Sequence, residues 1–313
     1  MTGSAPPPHV LIIGEALVDR VEQNDGATQE HPGGSPANVA VTLGRLGHRP
    51  HLLTSYGRDA AGAAVETWLR QSNVHLVAGS DSAPATSVAS SQLAPDGSAS
   101  YSFDIRWDPR PTTQLEAPSL VHIGSIGALL APGANTVHTL VQSMRTSATI
   151  TYDPNLRPAL CPDRDQVRAQ VEKLVSVADV VKASDEDLAW LYPHEDALEV
   201  LHRWATVGTP RAVVGTFGAG GTIAVFDGRQ LHVPAPTAAV ADTIGAGDSF
   251  MGALIHGLVQ CNLTGARNRE RLTQIGADVM HGILQTCVDV AAITVSRPGA
   301  NPPWADELIH ATK

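Results

Sequence analysis

Lysine is scarce in this chain: Lys173, Lys182 and Lys313 stand against eighteen arginines. No Gly-Lys-Ser or Gly-Lys-Thr occurs, which excludes a phosphate loop of the Walker type. The formal net charge is −10. Nucleic-acid binders usually carry the opposite balance, so nucleic acid is not an expected partner. Cysteine is rare too. Cys161, Cys261 and Cys287 are far apart, with no CxxC and no zinc spacing, and read as buried free thiols. Long apolar runs are missing near the start. The run Val10 to Ile13 is too short for a signal core or a membrane span, and no basic region precedes it. A reducing cytoplasm is therefore the expected location, with no membrane partner.

Two familiar glycine patterns are also absent. "TFGAGG" carries Ile223 where the last glycine of GxGxxG would stand, and no acidic residue follows at the usual distance. "HIGSIG" carries Ile123 in place of the first glycine of GxSxG, so a hydrolase elbow is unsupported.

What is present is a globular composition. The chain has 313 residues, 43% of them hydrophobic and 17% charged, enough for one large domain and a buried core. Apolar runs at 10–14, 51–57, 120–126, 149–155, 177–184 and 211–218 read as strands, several apolar almost throughout. Helical patterns lie between them, at 36–46, 59–71, 163–176, 185–191 and 196–206. This alternation predicts an α/β fold with a mainly parallel sheet between two helical layers. After 218 come two short strands joined at Asp227-Gly228, a helix from 246, another at about 270–286, and a late strand in "AAITVSRPG". Residues 86–107 break the alternation with a hairpin pattern around Pro95-Asp96-Gly97. Residues 15–31 also read as extended. The two excursions predict a small separate sheet able to act as a lid, with Tyr101, Phe103 and Ile105 on one side and Val88, Ser90 and Gln92 alternating across the partner strand. Pro6 to Pro8 read as a loose tail.

In open α/β sheets, ligands bind beyond the carboxyl ends of the strands, which directs attention to particular loops. "ADTIGAGDSFMGAL" (241–254) opens a helix with Gly245, Ala246 and Gly247, followed at once by Asp248. A glycine-rich helix start presents free N–H groups and a dipole that favours anions. Asp248 there is either a charge that stabilises the helix or a base beside a bound phosphate. In "HPGGSPANVAVTLGRLG", Pro36 suits a first helical turn, and Asn38 either bonds locally or faces a polar ligand. Asp19 follows the first strand, and Asp153, Asn155 and Arg157 cluster in "TYDPNLRP".

"GGSPANVAVTLGRLG" and "DTIGAGDSFMGAL", in this order and at this separation, resemble the two signatures of the PfkB (ribokinase-like) sugar kinases. "GEALVD", "DPNLRP", "TFGAGG" and "SRPGANPP" also resemble family segments, so the likeness covers most of the chain. It implies one three-layer α/β/α domain over residues 1–313, with a β-sheet lid from about 15–31 and 86–107. It also implies transfer of a phosphoryl group from ATP to a sugar hydroxyl. By motif position Asp248 resembles the catalytic base, and Gly245, Ala246 and Gly247 the anion hole. Asp19, Gly34 and Asn38 correspond to sugar contacts; Phe103, Asn155 and Arg157 complete the candidate substrate set. Thr216, Gly218 and Gly221 resemble part of the nucleotide site. "KASDEDL" departs from the family's Asn-Glu-x-Glu, and leaves Asp187 as the group to order hydrated Mg²⁺. Asp242 and "SRPGA" resemble a monovalent-cation site for K⁺, although Pro303 stands where some members have a hydroxyl.

The motifs look most like the fructokinase branch. A 2-keto-3-deoxygluconate kinase is the nearest rival, because that branch also uses an arginine near "DPN". A nucleoside kinase, or a sugar-binding regulator without turnover, are the remaining readings; the intact GAGD speaks against the regulator. A homodimer is left open.

Overall fold

Strands alternate with helices through most of the computed structural model, which describes residues 9–22, 28–93, 99–112, 115–161 and 163–311. The large sheet has nine strands: β1 (Val10–Ile13), β4 (His51–Leu53), β5 (His75–Leu76), β8 (Leu120–Gly124), β9 (Thr149–Asp153), β10 (Val180–Ser184), β11 (Ala212–Thr216), β12 (Thr222–Phe226) and β13 (Arg229–Val233). Their order is β13-β12-β11-β10-β9-β8-β1-β4-β5. All pairings are parallel except β11–β12 and β12–β13, the second of which forms the hairpin at Asp227-Gly228.

The central strands are apolar on both faces because both faces are covered. Val10 and Ile12 enter one core with α1 (Ser35–Arg45), α8 (Ala246–Gln260) and α10 (Ala277–Val295). Leu11 and Ile13 enter the other, with α4 (Gly133–Met144), α5 (Arg164–Val175), α6 (Asp185–Leu191) and α7 (Ala197–Thr206). Alternate side chains of a strand point to opposite faces, so one run of four residues feeds two cores. Helix starts follow local chemistry. Asp59, Asp163, Ser184 and Asp196 cap α2 (Ala60–Gln71), α5, α6 and α7 through side-chain bonds to first-turn amides.

The late strand expected in "AAITVSRPG" is absent. Helix α10 runs on to Val295, and Pro298 and Gly299 follow its end. Met280, Ile283, Leu284, Cys287, Val288 and Thr294 recur at helical spacing and are buried. Packing of this stripe on α8 and β13 outweighs the strand preference of Ile293, Thr294 and Val295. Helix α10 also has the length and apolarity of a membrane span, but its apolar stripe packs as a core helix does. The β8–β9 crossover carries α4 and the short α3 (Ser125–Leu129), which the apolar pattern does not single out. Two further short helices, α9 (Arg269–Thr273) and α11 (Ala305–Ala311), complete the set.

The two extended excursions do form a second sheet, with the order β3-β2-β6-β7. Its strands are β2 (Leu17–Glu22), β3 (Thr28–Gly33), β6 (Val88–Leu93) and β7 (Ala99–Asp104). Strand β2 pairs antiparallel with β3 and parallel with β6, and β6 with β7 antiparallel. Asp19 lies opposite His31 and Ala89, and Ala89 opposite Phe103, so these four share one face. Val88 and Ser90 lie opposite Asp104 and Ser102, on the other face. The turn expected at Pro95-Asp96-Gly97, and the tail at Pro6 to Pro8, lie outside the described residues.

Candidate active site

The site is built where three carboxyl-end loops meet the first turn of α8. Gly245 caps that helix at φ 76°, the left-handed region open to glycine, and a Cβ there would lie 2.5 Å from the Cβ of Ala300. The next residues, Ala246, Gly247 and Asp248, make the first helical turn. Ala246 N–H already donates to Thr243 O at 3.3 Å. Among the described hydrogen bonds, the amides of Gly247 and Asp248 have no protein acceptor. The glycine-rich start therefore offers fewer free donors than its sequence suggests, two of them adjacent in the helical turn.

Asp248 is buried, yet three donors from distant segments converge on it. Ser35 Oγ and Asn155 Nδ2 donate to Oδ1 at 2.7 and 2.9 Å; Asn38 Nδ2 donates to Oδ2 at 2.8 Å. Asn155 Nδ2 also lies 2.7 Å from Ser35 Oγ. Ser35 and Asn38 are placed by the start of α1. Gly34 caps α1 at φ 104°, and a Cβ on it would meet Glu15 O at 2.6 Å. That close approach is why the second glycine of "GGSPAN" is needed. The loop after β9 is held in turn by Arg157, whose Nη1 donates to Asn155 O, Asn155 Oδ1 and Leu156 O.

Asp19 completes this cluster from the second sheet. Burial raises its pKa, Arg157 opposes that and Asp248 adds to it, which puts Asp19 within electrostatic reach of both. Phe103 shares the face of Asp19 and is half-buried. Asp187 lies at the start of α6, where its carboxylate accepts the amides of Leu156 at 2.7 Å and Ser184 at 3.3 Å. It thus joins α6 to the loop carrying Asn155. Thr216 ends β11 beside Ser184 of β10, and Gly218 and Gly221 turn the chain into β12, both at positive φ. Asp242 accepts the amides of Ile244 and Gly299 at 3.0 and 2.9 Å, tying the loop before α8 to the "SRPGA" loop. The structure therefore gathers Asp248, Asn38, Asn155, Arg157 and Asp19 into one cluster. The remaining candidates follow along the same carboxyl edge of the sheet.

Three residues of this region escape sequence reasoning. Ser35 looks like an ordinary helix-start serine. Lys182 is buried in the middle of β10 and donates to Asp153 Oδ2 at 3.0 Å. Burial disfavours its ammonium, but Asp153, Asp187 and Asp248 together outweigh that and hold its pKa above the usual lysine value. Glu15 is buried behind β1, and its Oε2 accepts the amide of Gly127 at 2.8 Å. A lysine inside an apolar strand, "VADVVKAS", was the only available signal among the three.

Burial pushes the Glu15 carboxyl up from 4.5 to about 7. A group raised in this way favours the folded state while protonated. Its contribution is full below the unfolded pKa and is lost as pH rises through about 7. Glu15→Gln keeps an acceptor for Gly127 but cannot ionise. Relative to the parent it is expected to be more stable by up to about 3 kcal/mol at about pH 8 than at about pH 5. Urea denaturation at the two pH values measures this; a gap independent of pH would mean Glu15 does not titrate in this range.

The pfkB family carbohydrate kinase model matches residues 8–307. A fructokinase of Klebsiella pneumoniae is 28% identical over 309 residues, covering 96% of this chain and 97% of its own. A fructokinase of Rhizobium leguminosarum bv. trifolii is 30% identical, covering 81% of each chain. Among solved structures, the fructokinase of Xylella fastidiosa with bound ATP superposes with a TM-score of 0.80 at 25% identity, over 97% of this chain and 98% of that one. An uncharacterised sugar kinase of Pyrococcus horikoshii in complex with ATP gives 0.76 at 27% identity, over 96% and 97%. The chain belongs to the pfkB family of carbohydrate kinases.

Proposed function

We propose that this protein transfers the γ-phosphoryl group of MgATP to the 6-hydroxyl of fructose. The observation that carries the reading is Asp248: a buried carboxylate in the same helical turn as two free amides, held by donors from α1 and the β9 loop. In the step, the sugar hydroxyl gives its proton to Asp248 as its oxygen bonds to the γ-phosphorus. The bond to the bridging oxygen breaks, and its electrons leave with ADP. The transition state spreads charge over the phosphoryl oxygens, which suits preorganised donors at a helix start. Gly245 and Ala246 shape that turn; the amides of Gly247 and Asp248 supply the donors. Thr216, Gly218 and Gly221 line the nucleotide's approach. Asp187 would order a hydrated Mg²⁺ bound to the nucleotide, since each of its oxygens keeps a second lone pair beyond its amide bond, a hard donor that suits this ion.

Fructose follows from the likeness to fructokinases. Asp19, Asn38 and Asn155 are carboxylate and amide groups, suited to vicinal hydroxyls, and Gly34 lets the sugar lie close to the backbone. Asp19→Ala is expected to raise KM for fructose by about 10–100-fold, since it leaves sugar hydroxyls without a partner. NMR of the product decides the acceptor. The second reading, a 2-keto-3-deoxygluconate kinase, is favoured by Arg157. Only its Nη1 is committed to the loop among the described hydrogen bonds, which leaves the rest of the guanidinium for a substrate carboxylate. Turnover of that acid with none of fructose would overturn the first reading in favour of the second.

The second sheet acts as a lid in this proposal, with Asp19 and Phe103 on its substrate face. Closure excludes water that would compete as acceptor. Amide exchange over 86–107 is expected to slow on adding fructose and a non-hydrolysable ATP analogue, while β8 to β10 change little. Exchange as slow as the core without ligand, and unchanged by it, would make this a fixed sheet.

A further inference from the structure

Behind the first turn of α8 lies a charge pair that the proposed reaction does not use. Asp153 ends β9 and Lys182 lies midway along the adjacent β10, with side chains 1% and 3% exposed. A Cβ built on Gly247 would lie 3.1 Å from Lys182 Nζ. The ammonium is therefore packed against the backbone of the helix-start residue whose amide is free. Among the described residues, Nζ has one hydrogen-bond acceptor, Asp153 Oδ2, and Asp153 Oδ1 has no donor.

Such a pair is a poor device for stability. Removing two charges from water costs more than an imperfectly bonded pair returns, and apolar replacements of similar volume are often neutral or stabilising. The surroundings show where the charge acts instead. Asp153 on β9, Asp187 on α6 and Asp248 on α8 all interact electrostatically with the ammonium. The remaining neighbour is His122 on β8, which burial and Lys182 push down to about 3, so it adds no positive charge. Lys182 is the cation common to this acidic group.

We propose that Lys182 is a positioning residue for phosphoryl transfer. Anchored by Asp153, its fixed positive charge backs the anion-binding turn at Gly247 and offsets the carboxylates around Asp248. The helix start alone offers only the partial charge of its dipole, and an ammonium packed against it adds positive charge on that side. Gly247 is then required because a Cβ there would lie 3.1 Å from Nζ and displace it. The proposal rests on Asp248 as the base.

The test compares Lys182→Met with Lys182→Met/Asp153→Asn, because the single variant strands a buried carboxylate and can fail to fold. The double variant is neutral at both positions, and its thermal melt is expected to stay near that of the parent. Its kcat should fall about 10–100-fold while KM for sugar changes less than about threefold, since the charge acts where phosphoryl charge develops. A purely structural lysine would leave this split between kcat and KM unmoved once the fold is intact. Parent-like kcat in the folded double variant, with Asp248→Asn inactive, overturns this proposal alone. Parent-like turnover in Asp248→Asn overturns the base assignment, and this proposal with it.

Discussion

Asp248→Asn is expected to leave a folded protein that binds ATP and loses about 10²–10⁴-fold in kcat, the usual contribution of a general base. The fold should survive for a local reason. The introduced carboxamide keeps its oxygen as an acceptor for Ser35 and Asn155, while its nitrogen would face Asn38 Nδ2. Asn38 Oδ1 is buried and has no hydrogen-bond partner among the described residues. A flip of the Asn38 amide therefore turns two opposed donors into a donor and an acceptor. The helix start keeps both free amides, so phosphate binding should persist. Steady-state kinetics alongside nucleotide titration checks the separation. A variant that keeps more than about a tenth of the parent kcat would reduce Asp248 to a charge that stabilises α8.

The other large expected effect is thermodynamic. Lys182→Met should lower stability by about 3–5 kcal/mol, because it leaves Asp153 as a buried charge with no partner. The loss comes from the stranded carboxylate and not from any large favourable energy of the pair. Lys182→Met/Asp153→Asn should therefore recover most of it, to within about 1 kcal/mol of the parent. Urea melts of the parent, both single variants and the double variant close the cycle. Additive losses in the double variant would mean that each side chain is held by packing and not by the other's charge.

The parallel sheet was legible because strands covered on both faces tend to be apolar, as "VLII" is, and alternate with helical patterns. The second sheet was legible because two segments broke the helix–strand rhythm. The end of α10 was not, because Ile293, Thr294 and Val295 carry strand preference and only the packing of α8 against the whole stripe overrides it. The candidate site divides in the same way. Asp248, Asn38, Asp19 and Asn155 sit in motifs, and their positions beyond strand ends locate them in a shared cleft. Ser35, Glu15 and Lys182 matter through what they touch. No local pattern tells a serine that reaches a carboxylate 213 residues away from one that caps a helix. Nor does spacing show that the Ala246 amide is already taken by Thr243.

The bonds from Ser35 and Asn38 to Asp248 cross 213 and 210 residues of chain. During synthesis at about 5–20 residues per second, Asp248 leaves the ribosome on the order of 10–40 s after its partners. In that interval α1 and the second-sheet strands can form, but the candidate sugar contacts stand without the proposed base and α8 does not yet cover the core. A truncated chain ending before α8 carries every candidate sugar contact and lacks the proposed base. Regain of activity on refolding therefore reports joining of segments more than 200 residues apart, a contact with a large loop-closure cost, and should lag behind recovery of secondary structure.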